Sequence, residues 1–214
     1  SNVITTNTFG ANELKLDKLG YTVEEVVDNA IKMAKKAIEE SDKSKPRFVA
    51  LDLGPIGEML EPIGTLSFDR AYEIFKRQAI QGEKSGANLI IIETMMDLYE
   101  AKAAVLAAKE NTNLPVCTMT FDENGRSFTG CMPESMVATI EGLGVDAIGV
   151  NCSLGPKQLI PIVEKISKMA TVPVIVQANA GLPDIVNGQA IYNVDSEEFF
   201  IGVEKFAQLG ASII

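Results

Sequence analysis

Short apolar runs of four to six residues recur along the chain, separated by longer stretches whose apolar positions fall at helical spacing. Residues 3–6 (Val-Ile-Thr-Thr) read as a strand that ends in the polar turn Asn7-Thr-Phe-Gly10. Residues 22–41 read as a helix, with Val26, Ala30, Met33 and Ala37 as its apolar stripe and a capping box of Thr22 with Glu25. A β-rich run at 48–53 closes at Gly54-Pro-Ile-Gly57, and Ser67 precedes a helix to about Ser85. The run 88–92 is nearly all apolar and ends in Glu93-Thr94, after which Asp97 and Glu100 form a second capping-box pattern.

The alternation then continues with a strand at 116–121 and a helix opened by Pro133 that runs to Leu143. A strand at 147–150 stops at Asn151-Cys-Ser153, and Gly155-Pro156 turns the chain into a helix over 157–169. A strand at 174–177 breaks at Asn179-Ala-Gly-Leu-Pro183, a polar loop follows, and a helix over 196–209 leads to a last strand at 211–214. Seven strands thus alternate with six helices, and most strands are continuous apolar runs, as in a parallel sheet covered by helices. The expected fold class is α/β, a (β/α)8 TIM-type barrel. Such a barrel takes about 250 residues, so the 214 here predict one truncated at both ends, within a single partial barrel domain over 1–214. A doubly wound open sheet is the alternative, but no Gly-rich dinucleotide turn follows any strand.

On a barrel, residues just past the strands' carboxyl ends converge on one mouth. These are Asn7-Thr8, Gly54-Pro55, Glu93-Thr94, Phe121-Asp122, Asn151-Cys152 and Asn179-Ala180-Gly181. Cys152 either packs as a small apolar group or serves as metal ligand or nucleophile. A carboxylate at Glu93, after a wholly apolar strand, is costly to leave unpaired and suits a ligand's ammonium group. Candidate substrate contacts are Glu93, Asn151, Thr8, Asn7 and Ala180; Cys152 is the candidate metal ligand, and Asn179 is an amide in the equivalent place that either faces a ligand or caps the loop around Gly181. Cys117 begins a strand and reads as core, and Cys131 lies in a loop on the functional side. No lysine stands at a strand end, which argues against a Schiff-base aldolase.

Composition narrows the field. The chain has no histidine, which removes Ser-His-Asp and Cys-His catalysis and leaves thiolate, carboxylate or amide for any metal. A net charge of -10 argues against a nucleic-acid surface. No apolar run approaches a membrane span, and no signal-peptide pattern opens the chain. Three scattered cysteines fit reduced thiols in the cytoplasm better than a disulfide framework.

Six segments, in order and covering nearly the whole chain, carry a resemblance. They are residues 3–12 (VITTNTFGAN), 53–57 (LGPIG), 66–72 (LSFDRAY), 92–95 (IETM), 151–156 (NCSLGP) and 179–183 (NAGLP). Together they resemble the homocysteine S-methyltransferase family, most closely the homocysteine-binding barrels of cobalamin-dependent methionine synthases. The resemblance implies a barrel mouth that holds zinc through three cysteines, of which Cys152 matches one. The other two would follow the last strand, beyond Ile214, and the family's first strand would precede Ser1. It further implies that Asn179 approaches the open zinc position, that Glu93 holds the amino group of homocysteine, and that zinc activates the thiol for methyl transfer giving methionine. Methylcobalamin would be the donor, with cobalamin and folate domains as partners. Betaine or S-methylmethionine would serve in other branches, and the truncated chain alone is expected to be inactive and to hold zinc poorly.

Overall fold

The computed structural model describes residues 2–113, 115–122, 124–186, 189–192 and 194–214. Seven strands form one sheet in the order β1 (Val3–Thr5), β2 (Phe48–Leu53), β3 (Leu89–Met95), β4 (Pro115–Met119), β5 (Ile148–Asn151), β6 (Val174–Gln177) and β9 (Ala211–Ile213). Every pairing in this sheet is parallel. Strand order follows chain order without reversal, so there is no topological switch point and the doubly wound alternative falls. This is the arrangement of a (β/α)8 barrel opened between β9 and β1.

The helices α2 (Val23–Glu40), α3 (Phe68–Ser85), α4 (Leu98–Asn111), α5 (Pro133–Gly142), α6 (Pro156–Met169) and α7 (Ser196–Gln208) occupy the connections. Their buried faces meet the outward residues of the strands, Leu51, Leu53, Ile90, Ile92, Met119, Ile148, Val150, Val174 and Val176, in one continuous core. A second, small cluster of Val116, Ala147 and Ile175 with Leu89 lies on the opposite face of the sheet, the concave one. Each strand therefore alternates between two apolar environments at its amino end, and that is why the runs looked continuous in sequence.

Three expectations need correction, on the α2 stripe, the loop after β6 and the α4 cap, and one segment that the sequence pattern leaves unassigned forms an element. In α2 the buried stripe is Val23, Val27, Ile31 and Ala34, whereas Met33 is 72% exposed and Ala37 is exposed. Adjacent apolar pairs (Val26-Val27, Ala30-Ile31) give this helix two stripes about 100° apart, each with helical spacing, and packing on the sheet selects one. The segment 13–19 forms a short helix α1 (Glu13–Leu16) and a 3-10 turn, and the expected polar loop after β6 contains an antiparallel hairpin of β7 (Asp184–Val186) and β8 (Gln189–Ile191). The capping box of α2 is complete, but in α4 Asp97 caps alone. Glu100 instead accepts a hydrogen bond from the buried Ile56 N–H at 2.7 Å.

Candidate functional site

The concave face is layered. Val116, Ala147, Ile175 and Leu89 fill its amino-terminal end. One or two pleats further along, the same faces carry Asp52, Glu93, Thr118, Asn151 and Gln177. Polar groups thus collect at the carboxyl ends of the strands, where a barrel places its site.

Asn151 is the centre of this layer. It closes β5, is 1% exposed, and uses its whole carboxamide. Its Oδ1 accepts from the Thr94 N–H at 2.9 Å and the Thr118 hydroxyl at 3.0 Å. Its Nδ2 donates to Thr94 Oγ1 at 2.8 Å and to Cys152 Sγ at 3.2 Å. Thr94 Oγ1 also lies 3.7 Å from that sulfur. The half-buried Cys152 sulfur therefore accepts from the Asn151 carboxamide and lies within reach of the Thr94 hydroxyl.

The backbone here is unusual. Thr94 (φ 60°), Cys152 (φ 58°) and Ser153 (φ 56°) occupy the left-handed region, which side-chain-bearing residues rarely adopt, β-branched ones least of all. Thr94 lies in an irregularity of β3 between Ile92 and Met95, so Glu93 and Thr94 interrupt a strand rather than follow one. The Cys152 turn is tied down by its N–H to Gln177 O (3.0 Å) and by Leu154 N–H to Cys152 O (2.7 Å). The strain is held by cross-strand bonds, a pattern found at functional sites.

The other sequence-derived residues divide. Glu93 is half-buried at the mouth, and burial raises its carboxyl above the usual range. Asn179 is half-buried, and its N–H donates to Leu154 O at 3.2 Å, which sets the 179–181 loop against the Cys152 turn. Ala180 is also half-buried and lines a groove with Gly155, Gln158, Gly181 and Leu182. Thr8 is 1% exposed and joins strand ends, through Thr6 Oγ1 at 2.7 Å and Asp52 O at 2.8 Å. Asn7 is exposed. Cys131 is part-buried, with its thiol donating to Met132 O at 3.2 Å. The Cys117 side chain lies outside the described residues.

Sequence reading missed Asp52. It is 5% exposed on the concave face, with Oδ1 buried and unpartnered. Burial, and then the neighbouring Glu93 charge, pushes its carboxyl up to about 8. A charged residue inside the run Leu51-Asp52-Leu53 was the available signal.

A homocysteine S-methyltransferase family model matches residues 1–214. The chain belongs to that family. Methionine synthases of Mycobacterium leprae and Mycobacterium tuberculosis are each 28% identical to it over 224 residues, covering 100% of this chain but 18% and 19% of theirs. The chain thus spans less than a fifth of these relatives. Among solved structures, the metallated form of the Escherichia coli homocysteine methyltransferase MmuM superposes with a TM-score of 0.81 at 18% identity, covering 100% of this chain and 74% of that one. The carboxyl transferase domain of Rhizobium etli pyruvate carboxylase gives 0.51 at 14% identity, covering 90% and 29%. Both likenesses concern the fold.

The family implies zinc, and the donor set tests that. Among the described residues no group of three His, Cys, Asp or Glu could hold a metal ion. Cys152 and Asn179 are two donors at the mouth; zinc sites take three or four protein ligands. The described residues therefore do not by themselves fit a zinc centre. Among them, no helix is long and apolar enough to cross a membrane.

Proposed function

We propose that this chain is the homocysteine-binding part of a methionine synthase, which positions the homocysteine thiol for methyl transfer giving methionine. The family match over 1–214 supports the reaction class. The observation that carries the site is the Cys152 turn: a strained, half-buried thiol backed by the Asn151 carboxamide and facing the same mouth as Glu93.

In this reading Glu93 receives the substrate's ammonium group, whose attraction to a part-buried carboxylate is stronger than it would be in water. Asn151 acts through its neighbours, holding Thr94 and Cys152 in place, and Thr8 locks the ends of β1 and β2. Asn7 and Ala180 border the entrance. Homocysteine's thiol becomes nucleophilic only as the thiolate, and a zinc ion would supply that deprotonation in the zinc-dependent form of the reaction. Cys152 and Asn179 are too few to hold that ion by themselves, so the zinc-dependent form of this proposal requires further donors. Methylcobalamin as donor, with cobalamin- and folate-binding domains as partners in the cytoplasm, belongs to the same proposal. The length of the methionine synthases this chain matches supports it.

Calorimetric titration with L-homocysteine tests the reading. Glu93→Gln should weaken binding by about 1.5–3 kcal/mol, the worth of a charge-assisted hydrogen bond. Equal affinity in the variant and the parent would remove Glu93 from the site.

A further inference from the structure

The loop that follows β2 borders the mouth, since Gly54-Pro55 continue directly from that strand's carboxyl end. On its α1 side it is packed and tied. Gly54 passes so near Phe9 that a methyl group there would lie 2.5 Å from the ring and 2.6 Å from the Phe9 carbonyl oxygen. Lys15 Nζ donates to Pro55 O at 2.9 Å, and Asn12 Nδ2 donates to Ile56 O at 3.2 Å. On its α4 side Glu100 Oε1 accepts from Ile56 N–H at 2.7 Å. Ile56 is 1% and Glu100 6% exposed. Glu100 stands in the first turn of α4, three residues after the Asp97 cap, where an acid ordinarily turns back to the cap's own N–H. It closes no such box. Its carboxyl reaches instead into the interior, to a residue 44 positions away, at a cost in desolvation that an exposed cap bond avoids.

We propose that Glu100 is a positioning residue for the mouth: through Ile56 N–H it fixes the 54–57 loop, and so sets how firmly the β2 side of the site holds its ligand. The inference rests on the homocysteine reading and adds to it a residue that acts through a loop rather than by touching substrate. Burial raises the Glu100 carboxyl to about 7, against the pull of the Ile56 N–H. Two charged groups face it: Asp97 at the cap of α4 raises it further, and Lys15 of α1 lowers it. The carboxyl therefore changes charge near neutral pH. Ionised, it holds Ile56 by a charge-assisted bond, about twice as strong as a neutral one. Protonated, it keeps the weaker bond. The loop is held more firmly above about pH 7 than below it, while Lys15 and Asn12 hold the α1 side at either pH.

The test is calorimetry with L-homocysteine at pH 6 and pH 8, on the 214-residue chain and on Glu100→Gln. Glutamine keeps an acceptor oxygen for Ile56 N–H but cannot ionise. The acids Asp52 and Glu93 are present in both proteins, so the ratio of the two pH-dependent gains reports Glu100. From pH 6 to pH 8 the parent should gain at least about threefold more affinity than the variant. Equal gains, which a merely structural Glu100 would give, overturn the assignment. Should Glu100→Gln fail to fold, as judged by circular dichroism, the parent alone decides. Coupling is reciprocal, so saturating homocysteine should lower by about half a pH unit the midpoint at which the Ile56 amide shift follows pH in NMR. An unmoved midpoint overturns the assignment. If the parent binds no homocysteine, that reading fails separately, and hydrogen exchange at the Ile56 amide, corrected for its intrinsic pH dependence, decides the rest. Protection that rises through about pH 7 supports the hold of Glu100 on the loop, and unchanging protection overturns it.

Discussion

Replacing Asn151 with alanine tests whether one buried carboxamide holds the strained turns of the site. The substitution removes two acceptor contacts, from Thr94 N–H and the Thr118 hydroxyl, and two donor contacts, to Thr94 Oγ1 and Cys152 Sγ. The three conventional bonds contribute about 1 kcal/mol each, and leaving the Thr94 N–H without a partner adds about 1–3 kcal/mol. Thr94, at φ 60°, also loses the contacts that hold it in a disfavoured region. The expected loss is about 4–6 kcal/mol, large against the roughly 5–15 kcal/mol by which a domain is stable. Urea unfolding followed by circular dichroism reads it. With a slope of about 3 kcal/mol/M, the midpoint should fall by about 1 M or more. Thr118→Val, which removes one partner, should cost about 1 kcal/mol, and the double variant should be less destabilised than the sum by a similar amount. An Asn151→Ala midpoint within about 0.3 M of the parent would refute the reasoning. So would strictly additive losses.

Two further outcomes follow from the packing and the buried acids. A methyl group on Gly149 would lie 1.7 Å from the Ile175 carbonyl oxygen, so Gly149→Ala must part β5 from β6; a loss of at least about 3 kcal/mol or insoluble expression is expected, and a melting temperature within about 2 °C of the parent would count against it. Asp52 goes from 3.8 to about 8 on folding, and Glu100 from 4.5 to about 7, chiefly through burial. Between about 4 and 8 the folded state therefore retains protons that the unfolded chain has lost, so stability falls as pH rises and levels off above about 8. Urea midpoints at pH 5 and pH 8 should show this decline and Asp52→Asn should flatten it; an unchanged slope in the variant would acquit Asp52.

Element order was legible because each strand–helix unit carries its own local signals. The Thr22–Glu25 capping box, Pro133 at a helix start and Gly155-Pro156 after β5 act over three or four residues. Seven apolar runs separated by helical patterns leave little choice but a parallel sheet, and the strand ends then name one mouth. Glu93, Asn151, Cys152 and Asn179 were reachable in this way. The β7–β8 hairpin was not, because its exposed Ile185, Ile191 and Tyr192 bury little surface that could impose a strand pattern.

What only the tertiary structure decided is which side of each element faces what. Sequence offered two apolar stripes on α2, and contact with the sheet chose Val27 and Ile31 over Met33. A strand buried on both faces hides its period of two, so Asp52 read as one polar residue in an apolar run until the parallel register put it on the concave face beside Glu93. Asn151 could be read as a strand-end amide, but its four contacts come from residues 1, 33 and 57 positions away in the chain. The left-handed backbone at Thr94, Cys152 and Ser153 runs against local preference and persists only because those distant partners hold it. Local chemistry determined the order of the elements; long-range pairing determined where their polar residues meet.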